Sequence, residues 1–193
     1  MKKAIILLAV FAAACAAPAP VATPTPEPIA TLPSEANLNT DEELAAPEFI
    51  EATVKDVLKK AEDGESFVVY FGFEKCPWCQ QARPVLEEVM NEYQQNVLYV
   101  DTRSNPEWKS NTEIDDYDQL TEFLGDILEP DDEGVPHLYT PLFVFVRNGE
   151  IISSHQGTVE DHNAHEREME DEEKAELKSV LGEGFLRVFA QTE

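Results

Sequence analysis

Phe67-Val68-Val69-Tyr70-Phe71-Gly72-Phe73-Glu74-Lys75-Cys76-Pro77-Trp78-Cys79 is an apolar run of strand length followed closely by two cysteines two residues apart. An unbroken apolar run, without polar alternation, is the pattern of a strand buried on both faces. Pro77 suits the first turn of a helix, where its missing N–H needs no partner. Beyond it, Ala82, Val85, Leu86 and Val89 recur at helical spacing, which predicts a helix over 79–93 with a kink at Pro84. Both sulfurs therefore stand at a strand-to-helix joint.

That joint has a chemistry. Thiol–disulfide exchange needs a thiolate, and a free cysteine is mostly protonated at neutral pH. Unpaired N–H groups and the helix dipole at a helix N-terminus favour the anion. Cys76 is thus the expected nucleophile and Cys79, one turn on, the expected resolving thiol. Lys75 would assist the thiolate and Glu74 would oppose it. Half of a zinc site and a structural disulfide are the other readings of such a pair. Zinc of this kind wants a second pair of ligands, and the four histidines, His137, His155, His162 and His165, supply no second cysteine pair. His162 and His165 read as exposed residues of one acidic helix and His137 as a loop residue. No metal and no cofactor are expected.

Outward from the joint, 49–52 reads as a short strand, and Thr53 caps a helix through Val54, Val57, Leu58 and Ala61 that stops at Asp63-Gly64. Residues 97–100 read as a strand. Tyr117, Leu120, Phe123, Leu124, Ile127 and Leu128 make an amphipathic helix, and 130–134 an acidic turn. Two strands, 141–146 and 150–154, flank Asn148-Gly149, a strong hairpin signal. A helix over 165–181 and an apolar tail at 185–189 close the chain. The expected fold class is α/β, a central mixed sheet flanked by helices.

The N-terminus has a different character. Lys2 and Lys3 precede an apolar stretch of secretory length, too short and too soon met by Pro18 and Pro20 to span a bilayer. Residues 1–14 read as a signal peptide, whose plain form would leave Cys15 a spectator. Ala12-Ala13-Ala14-Cys15 resembles a bacterial lipoprotein signal, with Ala12 where leucine is usual, and implies lipidation of Cys15 and an extracytoplasmic membrane anchor. Residues 15–46, rich in proline, alanine and threonine, read as an extended tether, leaving 47–193 as the folded domain. The formal net charge is -25, and losing Lys2 and Lys3 would make it more negative. Such a chain repels phosphates, which excludes a nucleic-acid partner.

The stretch 67–84 resembles thioredoxin, with its apolar strand, its Cys76-Pro77-Trp78-Cys79 and a proline, Pro84, five residues after the second cysteine. Thr140-Pro141-Leu142-Phe143-Val144-Phe145-Val146-Arg147-Asn148-Gly149-Glu150 is similar to that family's cis-proline strand and hairpin, and Gly157 matches a later glycine. The wider pattern, with His155-Gln156-Gly157-Thr158-Val159, looks like the thioredoxin-like proteins of Gram-positive bacteria labelled bacteriocin transport accessory proteins. The resemblance covers about 48–190. It implies a thioredoxin-like fold, a cis Pro141 beside the cysteines, and substrate contacts from Trp78, Thr140 and Pro141. Its partners would be protein thiols or disulfides and a redox-recycling protein. Three departures stand out. Pro77-Trp78 lies between the cysteines where thioredoxin has Gly-Pro, so the redox potential does not carry over. Tyr70 occupies the place of the family's buried aspartate, with Glu74 a candidate for its proton-transfer role, and the enlarged segment 104–138 could roof the site or bind a partner. The function expected is thiol–disulfide oxidoreduction. A non-catalytic accessory or binding protein on the same scaffold is the alternative, and metal carriage by the two thiolates the third reading.

Overall fold

The computed structural model describes residues 45–190. The expected signal peptide over 1–14, the expected anchor at Cys15 and, apart from Ala45 and Ala46, the expected tether over 15–46 lie outside the described residues.

The apolar run becomes β2 (Phe67–Gly72), with every residue buried. It is central because it is paired on both edges. β3 (Val97–Asp101) runs parallel on one side and β6 (Leu142–Arg147) antiparallel on the other. β1 (Phe49–Glu51) adds in parallel outside β3, and β7 (Glu150–Gln156) antiparallel outside β6. The order β1-β3-β2-β6-β7 is the mixed, helix-flanked sheet of a thioredoxin-like fold. Asn148 and Gly149, at φ 53 and 82, close the β6–β7 hairpin, as that dipeptide predicts.

Alternation along β2 assigns its side chains to two cores. Val68 and Tyr70 join Phe143 and Phe145 of β6 beneath α2 (Pro77–Tyr93) and α4 (Asp171–Phe189). Phe67, Val69 and Phe71 join Leu98, Val100, Val144 and Val146 beneath α1 (Val54–Glu62) and α3 (Tyr117–Leu124). Each fully buried side chain of this size contributes roughly 1.5–3 kcal/mol, so β2 anchors both layers. Thr53 caps α1 as expected, accepting from the Asp56 N–H while Asp56 accepts from the Thr53 N–H. Segment 104–138 holds α3, two 3-10 turns and a hairpin of β4 (Glu129–Pro130) and β5 (Pro136–His137). Its buried Ile114, Leu120, Leu124, Leu128 and Leu138 belong to the second core, whereas both cysteines belong to the first.

Two helix expectations need correction. Pro77 opens α2, two residues before the expected start, and Pro84 sits on its solvent side within an uninterrupted 17-residue helix. α4 begins at Asp171 rather than 165, because the preceding residues are committed elsewhere. The Arg167 carbonyl accepts from both Gln81 Nε2 (3.1 Å) and His162 Nε2 (3.1 Å), and the Met169 N–H donates to Gln81 Oε1 (2.5 Å). The helix then runs through Gly182 and Gly184 to Phe189 instead of ending at 181.

Those glycines differ in what they touch. A Cβ on Gly184 would lie 2.3 Å from the buried Phe145 ring, whereas one on Gly182 would meet Tyr93 at an ordinary 3.5 Å. Alanine gains up to about 1 kcal/mol over glycine inside a helix, but overpacking costs about 1–3 kcal/mol. In urea unfolding, Gly182→Ala is expected to stabilise the protein by up to about 1 kcal/mol, and Gly184→Ala to destabilise it by about 1–2 kcal/mol net.

Candidate active site

The first turn of α2 builds the site from backbone geometry. Cys76 is the N-cap in extended conformation (φ -73, ψ 119), so its sulfur lies over the turn it starts. The Cys79 N–H donates to Cys76 Sγ at 3.4 Å. From the other side of the fold, Thr140 Oγ1 donates to the same sulfur at 3.7 Å, and the Cys76 thiol can in turn donate to the Thr140 carbonyl at 3.5 Å. Both cysteines are free thiols and buried, 3% and 2% exposed.

These contacts separate two chemically identical groups. The Cys76 thiol is held down to about 6, first by the hydrogen bond from the Cys79 thiol, then by the Cys79 N–H, the Thr140 hydroxyl and the Trp78 N–H, with burial opposing them. Cys79 is pushed well up, because its proton is engaged by the Cys76 sulfur and because it is buried, while the Tyr70 hydroxyl acts in the opposite sense. One proton on Cys79 thus serves both sulfurs.

Thr140–Pro141 is a cis peptide bond. Pro141 is buried, and its carbonyl accepts from the Gly157 N–H at 2.8 Å. Leu138, two residues before Thr140, is tied through its carbonyl to Asn111 Nδ2 at 2.8 Å, so the enlarged segment braces the approach to Pro141. Trp78 is half-buried, with the His165 ring edge-on at 4.7 Å. Glu74 is exposed, and its carbonyl accepts from Gln80 Nε2 at 3.0 Å. The group set against Cys79 inside the core is Tyr70.

The histidines fall differently from the expected helix face. His162 is buried, donating from Nε2 to the Arg167 carbonyl and accepting at Nδ1 from the Thr158 hydroxyl at 2.7 Å, while His165 is exposed beside Trp78. Neither lies on α4. His137 belongs to β5 and packs against the Tyr139 ring at 4.6 Å. Among the described residues no group of three or more His, Cys, Asp and Glu side chains is placed to hold a metal ion, and no helix is long and apolar enough to cross a membrane. Gln81 and His165 were not singled out as site neighbours from sequence. Tyr70 was, as the residue in the place of the family's buried aspartate, but with Glu74 and not Tyr70 expected to take up that role.

No family model matches the chain. Solved structures similar to it include a mutant thioredoxin from Halobacterium salinarum NRC-1, at 13% identity and TM-score 0.45, covering 77% of this chain and 96% of that one. Thioredoxin O2 from Arabidopsis thaliana in its oxidized state aligns at 18% identity and TM-score 0.43, covering 70% and 92%. Thioredoxin from Trypanosoma brucei brucei aligns at 14% and 0.43, covering 72% and 91%. No functional residue is carried over from them.

The divergent thiols make stability depend on pH with a definite sign. In the unfolded chain both titrate near the ordinary 9.0. Between about 6 and 9.0 the folded protein holds one proton fewer, so stability rises with pH; above 9.0 it retains the Cys79 proton that the unfolded chain has lost, and stability falls. The oxidised form carries neither thiol, so its other titrations cancel in the difference. Urea unfolding of the two forms should show the reduced-minus-oxidised difference growing from pH 6 to a maximum near 9.

Proposed function

We propose that the protein is a thiol–disulfide oxidoreductase acting through Cys76 and Cys79. The observation that carries this reading is the unequal pair, one buried sulfur at a helix N-terminus that accepts from the Cys79 N–H and the Thr140 hydroxyl and is held low by them and by the other thiol. An inert structural disulfide has no use for a depressed thiol, since its sulfurs carry no proton. In the reducing direction, Cys76 Sγ attacks one sulfur of a substrate disulfide, the substrate S–S bond breaks, and the departing thiolate takes up a proton. Cys79 then attacks Cys76 Sγ, closing the protein disulfide and releasing the second substrate thiol. Reversal of the same steps oxidises a dithiol.

Trp78, Thr140 and Pro141 are the proposed substrate contacts. Their support is position: Thr140 reaches the Cys76 sulfur with both its hydroxyl and its carbonyl, and Trp78 forms the next residue pair outward with His165. An extended polypeptide laid against the Thr140 backbone would bring its own disulfide to Cys76. The proposed partners are therefore protein thiols or disulfides, with a second redox protein to recycle the pair. The proposal extends to extracytoplasmic work from a lipid anchor at Cys15, supported by Lys2, Lys3, the apolar stretch after them and Ala12-Ala13-Ala14-Cys15. Two acyl chains would suffice for stable attachment.

Cys79→Ala should accumulate client proteins as mixed disulfides at Cys76, released by reductant, while Cys76→Ala accumulates none. Absence of adducts from the Cys79→Ala protein would favour the non-catalytic scaffold. In the same cells, Cys15→Ser should move the chain from the membrane fraction to the soluble one; retention at the membrane would remove the anchor from the account.

A further inference from the structure

Resolution of a mixed disulfide needs Cys79 as a thiolate, yet Cys79 is 2% exposed and its proton is strongly held. Once Cys76 is joined to a substrate, its sulfur no longer draws on that proton as a thiolate does. Some other group has to meet the charge that appears on Cys79.

A cavity of about 270 Å³, lined by neither Cys76 nor Thr140, reaches Cys79. Tyr70 and Cys79 are its buried walls, Tyr99 and Arg83 its half-buried ones, and Glu74 and Glu87 stand exposed at its edge. A water molecule takes up about 30 Å³ in the liquid, so the cavity has room for a short chain of waters between Cys79 and bulk solvent. Tyr70 is held rigidly within this wall. Its ring stacks on Phe143 (5.3 Å, 15°) and on Tyr99 (5.3 Å, 28°), with Phe49 tilted against it at 6.0 Å. Its hydroxyl lies over Gly72, where a Cβ would come within 2.5 Å of the Tyr70 Oη. Only glycine leaves the hydroxyl that position, on the wall of the cavity that Tyr70 shares with Cys79.

We propose that Tyr70 is the hydrogen-bonding partner of the resolving thiol: its hydroxyl donates to Cys79 Sγ as the thiol proton departs to water through this cavity, and so readies Cys79 to attack. The proposal rests on the exchange chemistry above. The Cys79 proton passes to water, and the thiolate forms the bond to Cys76 Sγ. The bond from Cys76 to the substrate sulfur breaks with its electron pair on the substrate, which takes up a proton, so two electrons pass from the cysteines to the substrate. Burial holds the Tyr70 hydroxyl far above its ordinary ionisation range, so it remains a donor throughout and does not serve as the base. Tyr70 thereby meets the charge on Cys79, and Glu74, at the cavity edge, is left as a contact for the departing proton.

Dithiobis-nitrobenzoate tests this on the reduced full-length protein carrying Cys15→Ser, whose only thiols are Cys76 and Cys79, because each released aryl thiolate is coloured. A concentration-dependent phase reports attack by Cys76, and a concentration-independent phase reports resolution by Cys79. Tyr70→Phe should leave the first phase unchanged, slow the second about ten- to a hundredfold, the size of a lost hydrogen bond to a charged group, and move its pH midpoint upward. Gly72→Ala, which displaces the hydroxyl without deleting it, should do the same and decides the question if the first variant fails to fold. A second phase of wild-type rate and pH profile in these variants would overturn the proposal, as would slowing of both phases together or slowing by Glu74→Gln alone. Failure of the oxidoreductase reading looks different: both phases normal in the reagent assay, with no client protein held by Cys79→Ala.

Discussion

The N–H of Cys79 pointing at the Cys76 sulfur, 3.4 Å away, is the contact on which the rest of the molecule converges. It exists because α2 starts at Pro77, which makes Cys76 the cap rather than a member of the helix. An unpaired helix N–H is a donor in search of an acceptor, and here the acceptor is a thiolate. The Cys79 thiol and the Thr140 hydroxyl reinforce that charge from two further directions. None of these donors would be in place if α2 and the Thr140–Pro141 turn were free to move apart.

What holds them is β2. Its two faces are buried in separate cores, and its edges carry β3 and β6, so the strand before the cysteines and the strand after Pro141 are directly hydrogen-bonded neighbours. Tyr70 connects that scaffold to the chemistry. It is a core residue stacked between two rings and lines the same cavity as Cys79. Gly72 joins the same arrangement by lacking the side chain that would displace the hydroxyl. A polar tip on an otherwise apolar side chain is well suited to such a place, provided the tip has a partner.

Features set by local chemistry were legible in the sequence. The buried strand, the Thr53 cap, the Asn148-Gly149 hairpin and the cysteine pair at a helix start each depend on a few adjacent residues. Features set by distant partners were not. The start of α4 is decided by Gln81, which binds Arg167 and Met169 some 86 and 88 positions away, and no periodicity in 157–170 announces that. The two glycines near the end of α4 suggest a stop, yet the helix continues through them, and the glycine at 184 answers to the Phe145 ring, which fills the space a Cβ would take. Tyr70 could be noticed as unusual from the sequence, but its place beside Cys79 depends on a helix folding back over the strand.

The site turns on a single ionisation, so direct titration of the thiolates tests it best. Ultraviolet absorbance of the reduced protein carrying Cys15→Ser, followed against pH, should rise by one thiolate with a midpoint at about 6, a step that Cys76→Ser abolishes, and the second thiol should stay protonated well past 9.0. Two thiols ionising together near 9.0 would contradict it, since the Cys79 thiol, the helix N-terminus and Thr140 would then have done nothing to tell the two sulfurs apart.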